Sequence, residues 1–263
     1  MMLFITKNKT LFHKVCALLF LIFIWHIVAW IINEELFVPT PFSTFKALNS
    51  LVFDSDFWVV IGTSIYRVLL GFTISIVIGI ITGIASGLNK MIYELFHPMI
   101  VIVKSTPVLS FIIIALLWFD SGDVPIFICF LMCYPIIWTS VVQGIKQVDI
   151  DLLEMAKIYQ IKTRYVIKNI YIPTAIPYLI SGILSGLGLG WKVTVAAEVL
   201  SHPKYSIGAY LHDAKIYLES DQLFAWTIVV IILSMVFENI FNRSVKFVGS
   251  KGIKQMTSRS DIK

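Results

Sequence analysis

Six apolar runs, each close to the length that a lipid bilayer demands, leave this chain few ways to fold. They lie at about 11–32, 68–88, 91–118, 124–145, 176–200 and 223–247. A hydrocarbon core about 30 Å thick is crossed by about 20 helical residues. Inside it every backbone N–H and C=O must be satisfied within the chain, so runs of this length are expected as helices. The expected fold is therefore an all-α membrane protein with about six transmembrane helices. Composition agrees: 58% of the 263 residues are hydrophobic and 14% are charged, where a soluble domain carries about 25% charged residues. The first run is followed by Asn33-Glu34-Glu35 and by no small-x-small cleavage site, so it reads as a span and not as a cleaved signal. Residues 57–67 read as a lead-in to the second span, with Arg67, beside Tyr66 and Trp58, at the interface. Pro98 and Pro107 are expected to interrupt the third.

The distribution of Lys and Arg tests this span count. With the N-terminus in the cytoplasm, the inner segments hold 15 of the 21 basic residues, among them Lys7, Lys9, Lys14, Lys246, Lys251, Lys254, Arg259 and Lys263. The outer segments hold only Lys46, Lys204 and Lys215. Cytoplasmic loops carry such an excess, and an odd number of spans would reverse it. Both termini are thus expected in the cytoplasm. The chain divides into a first helix with its extracytoplasmic loop (1–56), a core (57–247) carrying a cytoplasmic polar loop (146–175), and a basic cytoplasmic tail (248–263).

Small residues recur every four positions in two spans, Gly79, Gly83 and Gly87 in one and Gly182, Gly186 and Gly190 in the other. Each set lines one helix stripe, where missing side chains let backbones approach closely. The stripes read as intramolecular packing, or, for the second set, as part of a dimer seam or pathway wall. Cys16, Cys129 and Cys133 lie in apolar runs and read as small core residues. The five histidines are scattered, and no metal site is assigned. No phosphate-binding loop, His-Glu-x-x-His or Gly-x-Ser-x-Gly motif is present. The chain is therefore expected not to be an enzyme, and any energy for transport must come from a partner or an ion gradient.

The polar loop is the least lipid-like stretch of the second half. Asp149 to Tyr159 reads as a short helix, with Asp149, Asp151 and Glu154 early and Lys157 late, as the helix dipole favours. Leu152, Leu153 and Ala156 would give it an apolar side. A second segment runs from Lys162-Thr163-Arg164 toward Pro173, which is expected to end an unbroken helix. A short exposed helix with an apolar strip is shaped to enter a groove on another protein.

At this point the sequence resembles a known family. Glu154-Met155-Ala156, Ile170 and Ile172-Pro173 look like the cytoplasmic loop of ATP-binding-cassette importer permeases. That family's pattern is Glu-Ala-Ala, three residues, Gly, nine residues, Ile, two residues, Pro. Met155 and Gln160 depart from it, standing where Ala and Gly are usual. Ser105-Thr106-Pro107, Leu116-Leu117-Trp118-Phe119, Val148-Asp149, Pro173-Thr174-Ala175-Ile176-Pro177, Ala197-Glu198-Val199-Leu200, Ile207-Gly208 and Asp221 to Trp226 are similar to the nitrate/taurine/sulfonate branch.

The resemblance implies a type I importer permease fold in the bacterial plasma (inner) membrane. It implies a homodimer on two ATPase subunits, fed by an extracytoplasmic solute-binding protein, with ATP and magnesium held by the ATPase and no cofactor in this chain. Glu154, Met155, Ala156, Lys157, Tyr159, Gln160 and Pro173 would then couple the permease to the ATPase. No single substrate is implied; sulfonates, nitrate, bicarbonate and vitamin precursors all fit the branch.

Charged and polar residues within spans are costly and often functional. Lys104 and Ser105 are candidates for lining the path, or Lys104 for a salt bridge. Lys192 would meet the path if the glycine stripe faces it. Glu198 reads as a gate or binding-protein contact, or as the partner of Arg67, Lys104 or Lys192. Tyr134 and Trp138, one turn apart, read as packing residues or an aromatic gate. The competing class, a secondary transporter or channel acting alone, is disfavoured by the scarcity of acids in the spans and the lack of an inverted repeat.

Overall fold

The computed structural model describes residues 2–260, and all of their regular structure is helical. The helices are α1 (Met2–Ile32), α2 (Pro41–Val52), α3 (Phe57–Leu88), α4 (Lys90–Ser105), α5 (Val108–Ala115), α6 (Val124–Lys146), α7 (Ile150–Ile158), α8 (Thr163–Val166), α9 (Ile172–Ser201), α10 (Ile207–Ile216) and α11 (Ser220–Ser260), with a π-helical turn, Ile167–Tyr171, between α8 and α9. The side chains of Lys7, Lys9, Lys14, Lys246, Lys251, Lys254 and Arg259, and Lys263 altogether, lie outside the described residues, so the structure does not place the charge of the tail.

Five stretches are long and apolar enough to cross a membrane: Val15–Ile32, Phe57–Leu88, Val124–Lys146, Thr163–Ser201 and Ser220–Phe241. Helices α4 and α5 make a sixth if counted together, although they meet at 100°. The packing shows that this bent pair does cross. Gly79, Gly83 and Gly87 of α3 lie against Ile137, Val141 and Ile145 of α6, the two series rising together, so α3 and α6 are parallel. A connection between parallel neighbours must return along their whole length. The bend sits at Thr106, whose backbone is extended (φ −86°, ψ 134°) because Pro107 follows it. Pro98 lies inside α4 without ending it, so the expected break there is absent.

Helix α9 runs antiparallel to α6. Its Gly182 lies against Ser140, and its Gly190 against Cys133 and Cys129. Gly186 meets Phe72 of α3, and Cys133 Sγ donates to the Gly186 carbonyl (3.3 Å). Both glycine stripes therefore pack within the chain, with α6 between α3 and α9. The α9 stripe is not available as a seam. Helix α2, within the expected outer loop, places Ala47 and Leu51 in a core with Phe57, Trp191, Ile207 and Trp226.

Three further expectations need correction. Residues 57–67 are no lead-in but the first three turns of α3, which is continuous for 32 residues. Arg67 is not at an interface: it is buried, with Nη1 3.1 Å from Oε1 of Glu198, which has no solvent exposure. The Arg67 guanidinium also donates to the carbonyls of Tyr205 and Lys204 (3.2 Å each). The other Glu198 oxygen accepts from Ser64 Oγ (2.9 Å) and from the Gly208 N–H (3.2 Å), which is reached because Gly208 packs directly on the α9 backbone. A buried pair survives only when hydrogen bonds satisfy its remaining donors and acceptors, as here. Finally, Pro173 does not break the helix. Its ring would press on a carbonyl in regular α geometry. The chain widens to a π turn, in which the Ile172 N–H bonds to Ile167 O, and then continues as α9.

These contacts predict opposite outcomes for two glycines of one helix. A Cβ on Gly83 would lie 2.8 Å from Val141 Cβ, whereas one on Gly62 meets nothing within 4 Å. Gly83→Ala should lower stability by about 1–3 kcal/mol, and Gly62→Ala should raise it by up to about 1 kcal/mol, measured by thermal unfolding in detergent. Glu198→Gln leaves Arg67 without its counter-charge and should cost about 3–5 kcal/mol, most of it recovered in the double variant Arg67→Met/Glu198→Met.

Candidate functional site

Two regions carry the residues singled out by the sequence. The first is the loop between α6 and α9. Helix α7 begins where the Asp149 carboxylate caps it, accepting from the Asp151 N–H (2.9 Å). It ends in paired 6→1 and 5→2 bonds, Ile161 N–H to Ala156 O (2.9 Å) and Gln160 N–H to Lys157 O (3.1 Å). This Schellman closure requires a left-handed residue, and Gln160 adopts it (φ 49°). The bend that glycine makes readily is thus made here by glutamine.

The faces of α7 divide unexpectedly. Ala156 is 3% exposed and turned into the chain itself, so it does not face a partner. Leu152, Met155 and Tyr159, spaced three and four apart, form an exposed apolar stripe, Tyr159 being 75% exposed, with Ile150 and Ile158 exposed on the adjoining side. Glu154 and Lys157 are exposed, and Pro173 is half-buried at the root of α9. An isolated nine-residue helix is marginal in water, and this one offers its apolar side outward.

The second region is a cleft of about 180 Å³ between α4 and α6. It is lined by His97 and Lys104 from α4 and by Trp138, Thr139 and Lys146 from α6, with Tyr93 at one end. Lys104 Nζ donates to Thr139 Oγ1 (2.8 Å), and Lys146 Nζ lies 3.6 Å from the centre of the Tyr93 ring. Two cations therefore meet one cleft, held by a hydroxyl and an aromatic face instead of by acids. His97, Lys146 and Thr139 were not anticipated. Their signal was present: 97 and 104, and 139 and 146, are each seven apart, which places each pair on one stripe of its helix.

The remaining candidates separate. Trp138 Nε1 donates to Ser86 Oγ (3.1 Å), and the Tyr134 hydroxyl lies 3.2 Å from Thr82 Oγ1, so both aromatics fasten α6 to α3. Ser105 Oγ turns back to the Ile102 carbonyl (3.2 Å). Lys192 is exposed on α9, away from the glycine stripe. Glu198 lies at the other end of the bundle, paired with Arg67 and not with Lys104 or Lys192.

Residues 75–251 match the family of binding-protein-dependent transport system inner membrane components. The chain is 25% identical over 225 residues to the taurine transport system permease protein of Escherichia coli (strain K12), covering 83% of this chain and 82% of the relative. It is 28% identical over 209 residues to a nitrate import permease protein of Synechocystis sp. (strain PCC 6803), covering 75% and 74%. Its fold is similar to that of a chain from a crystal structure of an amino acid ABC transporter (TM-score 0.57, 15% identity, covering 72% of this chain and 90% of that one). The sequence pattern, the six crossings and these matches agree: this multi-pass membrane chain belongs to the family of binding-protein-dependent transport system inner membrane components, the permeases of ATP-binding-cassette importers.

Proposed function

We propose that this chain is the membrane-spanning subunit of a bacterial inner-membrane importer, moving a small solute inward by alternating access. The observation that carries this reading is the outward apolar stripe of α7, Leu152, Met155 and Tyr159, on a short capped helix at one end of the bundle. Such a stripe fits a cleft on a separate ATPase subunit, which would bind ATP and magnesium while this chain binds neither. Two copies of the chain on two ATPase subunits would place two α7 helices side by side, and closure of the ATPase pair would draw them together. Rigid bodies turning about a central site then exchange inward- and outward-facing states.

Sidedness follows from charge. The α7 end carries Lys157, Lys162, Arg164 and Lys168 and is read as cytoplasmic. The end bearing α2, α10 and residues 202–206 would face the solute-binding protein. The relatives are named for taurine and nitrate, small solutes bearing anionic oxygens. The cleft that holds Lys104, Lys146 and Thr139 suits the passage of such a group.

Met155→Asp and Tyr159→Asp should each weaken ATPase association by about 2 kcal/mol, roughly thirtyfold, with the unfolding temperature of the permease unchanged. Undiminished ATPase co-purification in both variants would refute the docking role. Lys104→Ala should lower uptake at limiting substrate by about tenfold while the assembled complex is recovered in full. Wild-type uptake would remove the cleft from the path.

A further inference from the structure

The sequence scatters its five histidines, but the fold brings two of them together with an acid. His202 caps the C-terminus of α9 in the left-handed region (φ 48°), and His212 and Asp213 stand on α10. His202 Nε2 is 2.8 Å from Asp213 Oδ1, and His212 Nδ1 is 3.9 Å from the same oxygen. The two imidazole rings are 5.2 Å apart and nearly perpendicular (74°). One donor atom from each residue lies within 4.8 Å of the other two. In a tetrahedral zinc shell, with metal–nitrogen bonds of about 2.0–2.1 Å, donor atoms stand about 3.4 Å apart. The observed separations, 2.8 and 3.9 Å with the third no more than 4.8 Å, lie on both sides of that value.

We propose that His202, His212 and Asp213 form a binding site for a first-row divalent transition metal of the Zn2+ class. The donor set selects this class, because imidazole nitrogen favours Zn2+, Cu2+ and Ni2+ over Mg2+ and Ca2+. A second observation points to a ligand. His212 Nδ1 is shut off from solvent and finds no hydrogen-bond partner among the described residues. A buried ring nitrogen without a partner is unfavourable, and a metal accepts its lone pair.

The three side chains are 47%, 37% and 44% exposed, so an ion can approach them; a turn of the His212 ring would bare its shielded Nδ1, and a fourth position remains for water or a partner's ligand. Entry of the metal replaces the His202–Asp213 hydrogen bond with coordination and ties α10 to the end of α9. The intervening residues 203–206 are already gripped by Arg67 through the carbonyls of Lys204 and Tyr205. Metal and ion pair together would fix this surface as one body.

The test uses the full chain purified in detergent and reads metal binding, independent of transport. Co2+ titration should give the intense visible bands of a four-coordinate nitrogen and oxygen site at one ion per chain, and Zn2+ should displace it. His202→Ala and His212→Ala should each weaken binding by more than about tenfold. His202→Gln and His212→Gln, which keep the side-chain bulk, should do the same if the alanine variants do not fold. A variant lacking His13 and His26 should bind as the wild type does. A wild-type chain without stoichiometric four-coordinate Co2+, or full affinity in either histidine variant, overturns the site.

Discussion

Direct approach of three helix backbones is the constraint on which this structure rests. Within a bilayer there is no hydrophobic gain from bringing one apolar helix to another, so association depends on close van der Waals fit and a few polar contacts. Helix α6 meets α3 at Gly79, Gly83 and Gly87 and meets α9 at Gly182 and Gly190, and neither face leaves room for another methyl group. The thiols of Cys129 and Cys133 fill what space remains, donating to the Val68 and Gly186 carbonyls. The parallel course of α3 and α6 follows from this fit and in turn forces α4 and α5 to recross. The cleft of Lys104 and Lys146 lies between α6 and the α4 half of that return.

The polar contacts are concentrated where the fit ends. Arg67, Glu198 and Ser64 knit α3, α9 and the start of α10 with bonds to both side chains and backbone. The backbone they hold contains His202 (φ 48°) and Tyr205 (φ 51°), two non-glycine residues in the left-handed region. Such conformations persist when their surroundings over-determine them. The Arg67 bonds to the Lys204 and Tyr205 carbonyls do so here.

Much of this was legible in the sequence because it repeats or is local. The six crossings follow from apolar length, the glycine stripes from their four-residue step, and α7 from its charge order, with acids early and Lys157 late. What was not legible depends on partners distant in the chain. Arg67 resembled an interface residue until Glu198, 131 positions on, was seen beside it. Ala156 resembled a contact residue because nothing local shows which side of α7 the chain covers. His202 and His212 resembled isolated residues because a loop and a helix start lie between them. Pro173 followed a sound rule about α-helices, which a π turn evades by changing the hydrogen-bond register.

That π turn has a mechanical consequence. Because the helix is widened and not severed, Thr163–Ser201 is one stretch of 39 residues. At 1.5 Å per residue it spans about 58 Å, close to twice the hydrocarbon thickness of about 30 Å. Its foot is joined to α7 through four residues, and its head carries Glu198 and His202. A tilt imposed at the foot would thus be carried to the head along one continuous helix, with the π turn and the interior Pro177 as the places where motion could be absorbed.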